Sequence, residues 1–134
     1  MSRVRRFIKR KRGKRPKERD YKQALVFSRH IRLTKPEMAK CAAWLAIAAA
    51  NELKTKDARI FQHWSRMAQK KVALKVEDAE QLIKIEEECK KRNIVVVRAP
   101  VSLINGKSEE PYALGIGPQN ENIMNQVIGH LKLF

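Results

Sequence analysis

Two hydropathy rhythms take turns along this chain, and their order predicts the fold. Residues 21–27 form an apolar run with β-branched and aromatic members, which predicts a strand. Thr34, Lys35, Pro36 and Glu37 then carry a capping-box signature, and the alanine-rich stretch 38–53 continues it as a helix able to pack closely on a sheet. In residues 57–67 the apolar side chains Ile60, Phe61, Trp64 and Met67 recur at spacings of three and four, predicting a shorter helix with these four in the core. A second strand is predicted over 70–76. The helix after it, 77–92, turns Ala79, Leu82, Ile83, Ile85 and Cys89 inward, while Glu86, Glu87 and Glu88 read as a solvated face.

The uninterrupted β-branched run at 93–97 predicts a central strand buried on both faces. A polar loop at 99–111 contains Asn105-Gly106, and a fourth strand at 112–116 is expected to end at the glycines of Gly115-Ile116-Gly117-Pro118. The last helix, 120–129, places Ile123, Met124, Val127 and Ile128 at core spacing. Strand, helix, strand, helix, strand implies a parallel β-α-β core. The expected class is α/β, a three-layer sandwich with a four-stranded mixed sheet and helices on both faces.

Composition changes this picture at the N-terminus. The chain has 134 residues and a formal net charge of +16, with 43% hydrophobic residues, which suits one folded domain. Eleven of its cations fall within residues 1–20: Arg3, Arg5, Arg6, Lys9, Arg10, Lys11, Arg12, Lys14, Arg15, Lys17 and Arg19. Against them stand Glu18 and Asp20. With only Val4, Phe7 and Ile8 as sizeable apolar groups, this segment cannot offset its backbone entropy by burial and is expected to be disordered alone. A transit peptide, a nuclear-localisation signal and a contact for anionic lipid share such a composition. The density of lysine, the interspersed Gly13 and Pro16 and the lack of an apolar face favour an RNA-binding extension over residues 1–20, ahead of a domain at 21–134.

Candidate chemistry is sparse. Cys41 and Cys89 stand far apart with no CxxC pair, so neither a disulfide framework nor a zinc site is indicated, and both are expected as buried reduced thiols. His63 has no neighbouring ligand cluster. Gly115-Ile116-Gly117 lacks the third glycine of a dinucleotide fingerprint, no phosphate loop or nucleophile elbow occurs, and the apolar run at 42–50 is too short to span a membrane. No metal, cofactor or membrane partner is expected.

Ala113-Leu114-Gly115-Ile116-Gly117-Pro118, followed after ten residues by Gly129-His130-Leu131-Lys132-Leu133, resembles the end of the type 2 peptidyl-tRNA hydrolase family. Residues 21–33, 69–76 and 94–98 resemble that family's first three strands in order, so the resemblance covers 21–134 and implies the same mixed-sheet sandwich. The family opens its first helix with Gly-Lys-Gly-Lys-x-x-x-Gln-x-x-His, whose second lysine is its leading catalytic candidate. Here the corresponding residues are Thr34, Lys35, Pro36, Glu37, Cys41 and Trp44. The family's loop after the third strand, Arg-Asp-Ala-Gly-x-Thr, supplies a carboxylate and a hydroxyl; here it reads Arg98, Ala99, Pro100, Val101, Ser102 and Leu103.

Glutamate in place of the key lysine reverses the local charge. With no catalytic residue assigned, the expectation is therefore a non-catalytic, RNA-binding constituent of a ribosome, mitochondrial in preference to cytoplasmic. Its partners would be rRNA and neighbouring ribosomal proteins, with tRNA as a further partner. The alternative is an active or altered peptidyl-tRNA hydrolase, with Lys35 and Ser102 near the altered positions.

Overall fold

A computed structural model describes residues 20–134. Five strands form one mixed sheet: β1 (Tyr21–Ser28), β2 (Lys71–Val76), β3 (Val96–Arg98), β4 (Ala113–Asn120) and β5 (Lys132–Leu133), in the order β3-β4-β1-β2-β5. Only β1 and β2 are parallel neighbours; β4 runs antiparallel to both β1 and β3, and β5 antiparallel to β2. Four helices accompany the sheet: α1 (Lys35–Lys56), α2 (Ala58–Arg66), α3 (Ala79–Lys91) and α4 (Glu121–Ile128). The strand count expected from sequence is corrected from four to five, because two residues near the C-terminus pair with Leu74 and Lys75 of β2.

Local signals place the helices. At α1 both halves of the capping box form, with Pro36 in the first turn, where its missing N–H leaves no bond unmade. Asp57 and Asp78 cap α2 and α3 by accepting from backbone N–H groups two or three residues ahead. Alternation along β1 then divides the core. Ala24 and Val26 pack with α3 and α4 through Leu82, Ile85, Met124 and Val127, while Leu25 and Phe27 pack with Cys41 and Leu45 of α1.

Several expectations change in the tertiary structure. The run at 93–97 is no central strand: β3 is three residues long and lies at the sheet edge, paired with β4 alone. The run's burial agrees with the expectation only at Ile94 and Val95, just before β3; Val96 and Val97 are half-buried and Arg98 is exposed. Ile94 packs into the α3/α4 cluster and Val95 against Ala49 and Leu53 of α1, while in β3 itself Val96 and Val97 are partly buried against the two faces. The fourth strand runs through the glycines to Asn120 instead of stopping there, because pairing with β1 on one side and β3 on the other outweighs their low strand propensity. Pro118 fits at a register shift, where Lys22 faces Gln119 but Ala24 faces Ile116, so no ladder bond needs its absent donor.

Gly115 serves close approach, since a Cβ there would lie 2.9 Å from the Leu45 carbonyl oxygen. Of the four residues expected to form the core of α2, Trp64 is buried and Met67 is exposed at the helix end; Ile123 of α4 is exposed as well. Glu86 departs from the solvated-face reading. It is buried and held by both arms of the Arg98 guanidinium, at 2.7 and 2.6 Å.

Candidate active site

The topology gathers four strand ends at one pole. Ser28 pairs with Val76 where β1 and β2 finish, Ser28 N donates to Tyr112 O just before β4 begins, and Ala99 N donates to Ala113 O as the chain leaves β3. The turn 29–34 and the loop 99–112 therefore emerge together, beside the N-terminus of α1. In a sheet with a parallel pair, the carboxyl ends of the strands are where loops can converge on a ligand.

Glu37 is the centre of the site. Its N–H donates to Thr34 Oγ1 at 3.2 Å, its Oε1 accepts from Thr34 N–H at 2.9 Å, and the same oxygen accepts from Lys107 Nζ at 2.6 Å. The carboxyl is pulled down from its ordinary value to about 2, chiefly by the Lys107 ammonium and then by the Thr34 N–H. It is ionised at any physiological pH.

Lys107 reaches Glu37 because the preceding chain is tied down. Residues Val101–Ile104 form a 3₁₀ turn whose last side chain, Ile104, is wholly buried against α1. Asn105 then takes a left-handed conformation, and Lys107 N–H donates back to Ile104 O at 3.2 Å. The buried Tyr112 hydroxyl closes the loop by donating to Pro100 O at 2.6 Å, with Cys41 Sγ at 3.6 Å. Burial and then the Cys41 contact raise the Tyr112 phenol well above its usual range, so it remains a donor.

Of the residues singled out by sequence, Thr34 and Glu37 meet in this cluster, and Cys41 and Pro100 brace it from below and from the loop side. Lys35 is exposed on the first turn of α1, Trp44 is half-exposed further along it, and Ser102 lies exposed on the 3₁₀ turn. Arg98 faces away, toward Glu86. Ser28 and His30 form a hydrogen bond at the end of β1, and Arg29 pairs loosely with Glu77. Cys41 and Cys89 are free and buried; burial pushes the Cys89 thiol up to about 12. His63 is exposed and stacks on Tyr21 at 5.9 Å. The eleven cations assigned to RNA all lie outside the described residues.

Sequence reasoning missed Lys107. One signal pointed to it: Lys107 is the single cation between Arg98 and the start of β4, and Glu37 is the single acid in the first four turns of α1.

A family model described as "Peptidyl-tRNA hydrolase PTH2" matches residues 21–134. A protein of Thermococcus onnurineus named peptidyl-tRNA hydrolase is 33% identical over 119 residues, covering 84% of this chain and 97% of the relative. A protein of Methanopyrus kandleri with the same name is 34% identical over the same shares. The Bos taurus protein named "Peptidyl-tRNA hydrolase 2, mitochondrial" is 28% identical, covering 86% of this chain and 65% of the relative. These names correct the expectation of a non-catalytic ribosomal constituent, with rRNA and ribosomal proteins as partners: the family model and these relatives are hydrolases by name. The reading from Glu37 erred because it compared one position at a time. Position 37 holds an acid where the resembling motif has a lysine, but Lys107 brings an ammonium within 2.6 Å of it.

Proposed function

We infer what this chain does from the premise that it belongs to the peptidyl-tRNA hydrolase PTH2 family. Its substrate in this reading is peptidyl-tRNA, and its reaction is hydrolysis of the ester joining the peptide to the terminal ribose. The observation that carries the reading is the 2.6 Å contact between Lys107 and Glu37. The resemblance implies a lysine on the first helix and a carboxylate on the loop after the third strand. This chain has the carboxylate on the helix and the amine on the loop, so the pair is kept with its polarity reversed.

Each partner then has a role. The Lys107 side chain is 40% exposed and spends one donor on Glu37, which leaves two for the ester carbonyl oxygen. When water attacks the carbonyl carbon, negative charge builds on that oxygen and the ammonium stabilises it; the bond to the ribose oxygen breaks, and that oxygen takes up the proton given up by the attacking water and leaves as an alcohol. A carboxylate with so low a pKa is a weak base near neutrality, so Glu37 is a positioning residue that aims Lys107. Lys35 supplies further cationic support for the phosphates beside the ester. The basic residues of 1–20 supply an electrostatic share of tRNA affinity in the same reading.

Purified protein is expected to release tRNA from an N-acetylated aminoacyl-tRNA. Lys107→Ala is expected to slow release on the order of a hundredfold, the scale of removing one oxyanion donor. Glu37→Lys combined with Lys107→Glu is expected to outperform either single change, because the pair is restored in the other polarity. Release no faster than in buffer, or a Lys107→Ala rate equal to that of the unaltered protein, overturns the reading.

A further inference from the structure

Away from the Glu37 cluster, a cleft of about 590 Å³ opens between β2, α3, the end of α4 and β5. Its size falls within the range of small-ligand sites. Val76, Ile85, Val127 and Leu131 contribute apolar surface to it, and the first three are buried. Lys75, Lys84, His130 and Lys132 line it as well, and among the described residues none of them makes an ion pair.

The two carboxylates that line this cleft each face an arginine through one oxygen. Glu77 pairs with Arg29 at 3.6 Å and Glu88 with Arg92 at 2.8 Å. Gln81 Oε1 accepts from Glu77 N–H and Gln126 Oε1 from Arg92, which leaves the NH₂ donors of both amides uncommitted. A cleft with three unpaired lysines, arginine-paired carboxylates and an aliphatic floor favours a ligand rich in anionic acceptors that also carries apolar parts. Nucleotides match that description, with phosphates on the lysines and base or ribose over the floor.

Position relates the cleft to the candidate site. Glu77, on the cleft's wall, is the residue to which Arg29 pairs, and Arg29 N–H donates to Val76 O at the pole where the candidate site lies. We propose that this cleft binds the unpaired 3′ strand of the tRNA, holding the nucleotides that precede the esterified ribose. The choice of tRNA rests on the hydrolase reading above; the binding of single-stranded RNA does not.

The test is fluorescence anisotropy of a labelled, deacylated single-stranded oligoribonucleotide against the full chain across a salt series. It compares the unaltered protein with the triple variant Lys75→Gln, Lys84→Gln, Lys132→Gln, and with a control triple variant, Lys54→Gln, Lys56→Gln, Lys91→Gln, outside the cleft. The cleft variant is expected to bind at least about tenfold more weakly at low salt. Its slope of log affinity against log salt should be shallower by about 2, since each phosphate left without its lysine takes roughly 0.7 from the slope. The control should change neither by a comparable amount.

Equal losses in the two variants, an unchanged slope in the cleft variant, or displacement of the RNA by poly-glutamate at matched charge overturns the proposal. Circular dichroism checks that both variants stay folded. Because the probe carries no ester, failure of tRNA release with the binding pattern intact would strike the hydrolase reading and leave the cleft assignment standing.

Discussion

Glu37 does several things with one carboxylate. It completes the cap of α1, holds Lys107 across the site and contributes to stability as a function of pH. Its folded pKa, about 2, lies below the ordinary 4.5, so its contribution is fully present above the ordinary value and is lost as pH falls toward the folded one. Glu86 is shifted in the same direction by Arg98, so acid unfolding of the unaltered protein reports both. The difference between the unaltered protein and Glu37→Gln isolates the first. That difference, measured by denaturant titration, is expected to be constant from pH 7 to about 5 and to shrink below pH 4. A difference independent of pH would show that the carboxylate's charge adds nothing to the fold.

At the scale of elements, the contact of α1 with β4 has little room to spare. Cys41, Leu45 and Ala49 are wholly buried along one side of α1, and Gly115 of β4 lies under Leu45. Gln23 of β1 adds a tether, donating to Ala46 O at 2.9 Å, while its Oε1 is buried with no partner among the described residues. Gly115→Ala would place a methyl 2.9 Å from a backbone oxygen and 3.1 Å from the Leu45 Cβ, and neither can yield by rotating a side chain. The expected cost is about 1–3 kcal/mol in denaturant titration. Because α1 presents Glu37 at its first turn, a drop in tRNA release beyond that accounted for by unfolding should accompany it. Edge strand β3 teaches the complementary lesson, for a β-branched run reports that both faces are covered and is silent about how many neighbours the strand has.

For the whole molecule, the charge separates into two parts. Eleven of the cations fall in residues 1–19 of the sequence, and in the folded body Lys75, Lys84 and Lys132 line the cleft. The sheet and the helices described form within residues 20–134, so deletion of 1–19 is expected to leave the thermal unfolding midpoint within about 2 °C, while tRNA affinity falls and its salt dependence becomes shallower. Filter binding at several salt concentrations checks the second part and calorimetry the first. An unchanged salt slope would remove the basic segment from the functional reading.

Much of this protein was legible in one dimension. Capping residues, three- and four-residue spacing and apolar runs are local, and they located α1 to α4, β1 and β2 within a few residues; the terminal Gly-Ile-Gly-Pro and Gly-His-Leu-Lys-Leu motifs carried the family resemblance. Strand order, the edge position of β3, the continuation of β4 through its glycines and the pairing of β5 depend on contacts distant in sequence, which hydropathy does not encode. The candidate site divides in the same way. Glu37 was visible as a departure from a motif, but its meaning lay with Lys107, 70 residues away, whose amine a buried isoleucine and a tyrosine-tied loop bring within 2.6 Å. Sequence showed a glutamate where the resembling family has a lysine; only the tertiary structure brought Lys107 to it, because an ion pair is a property of distance in space.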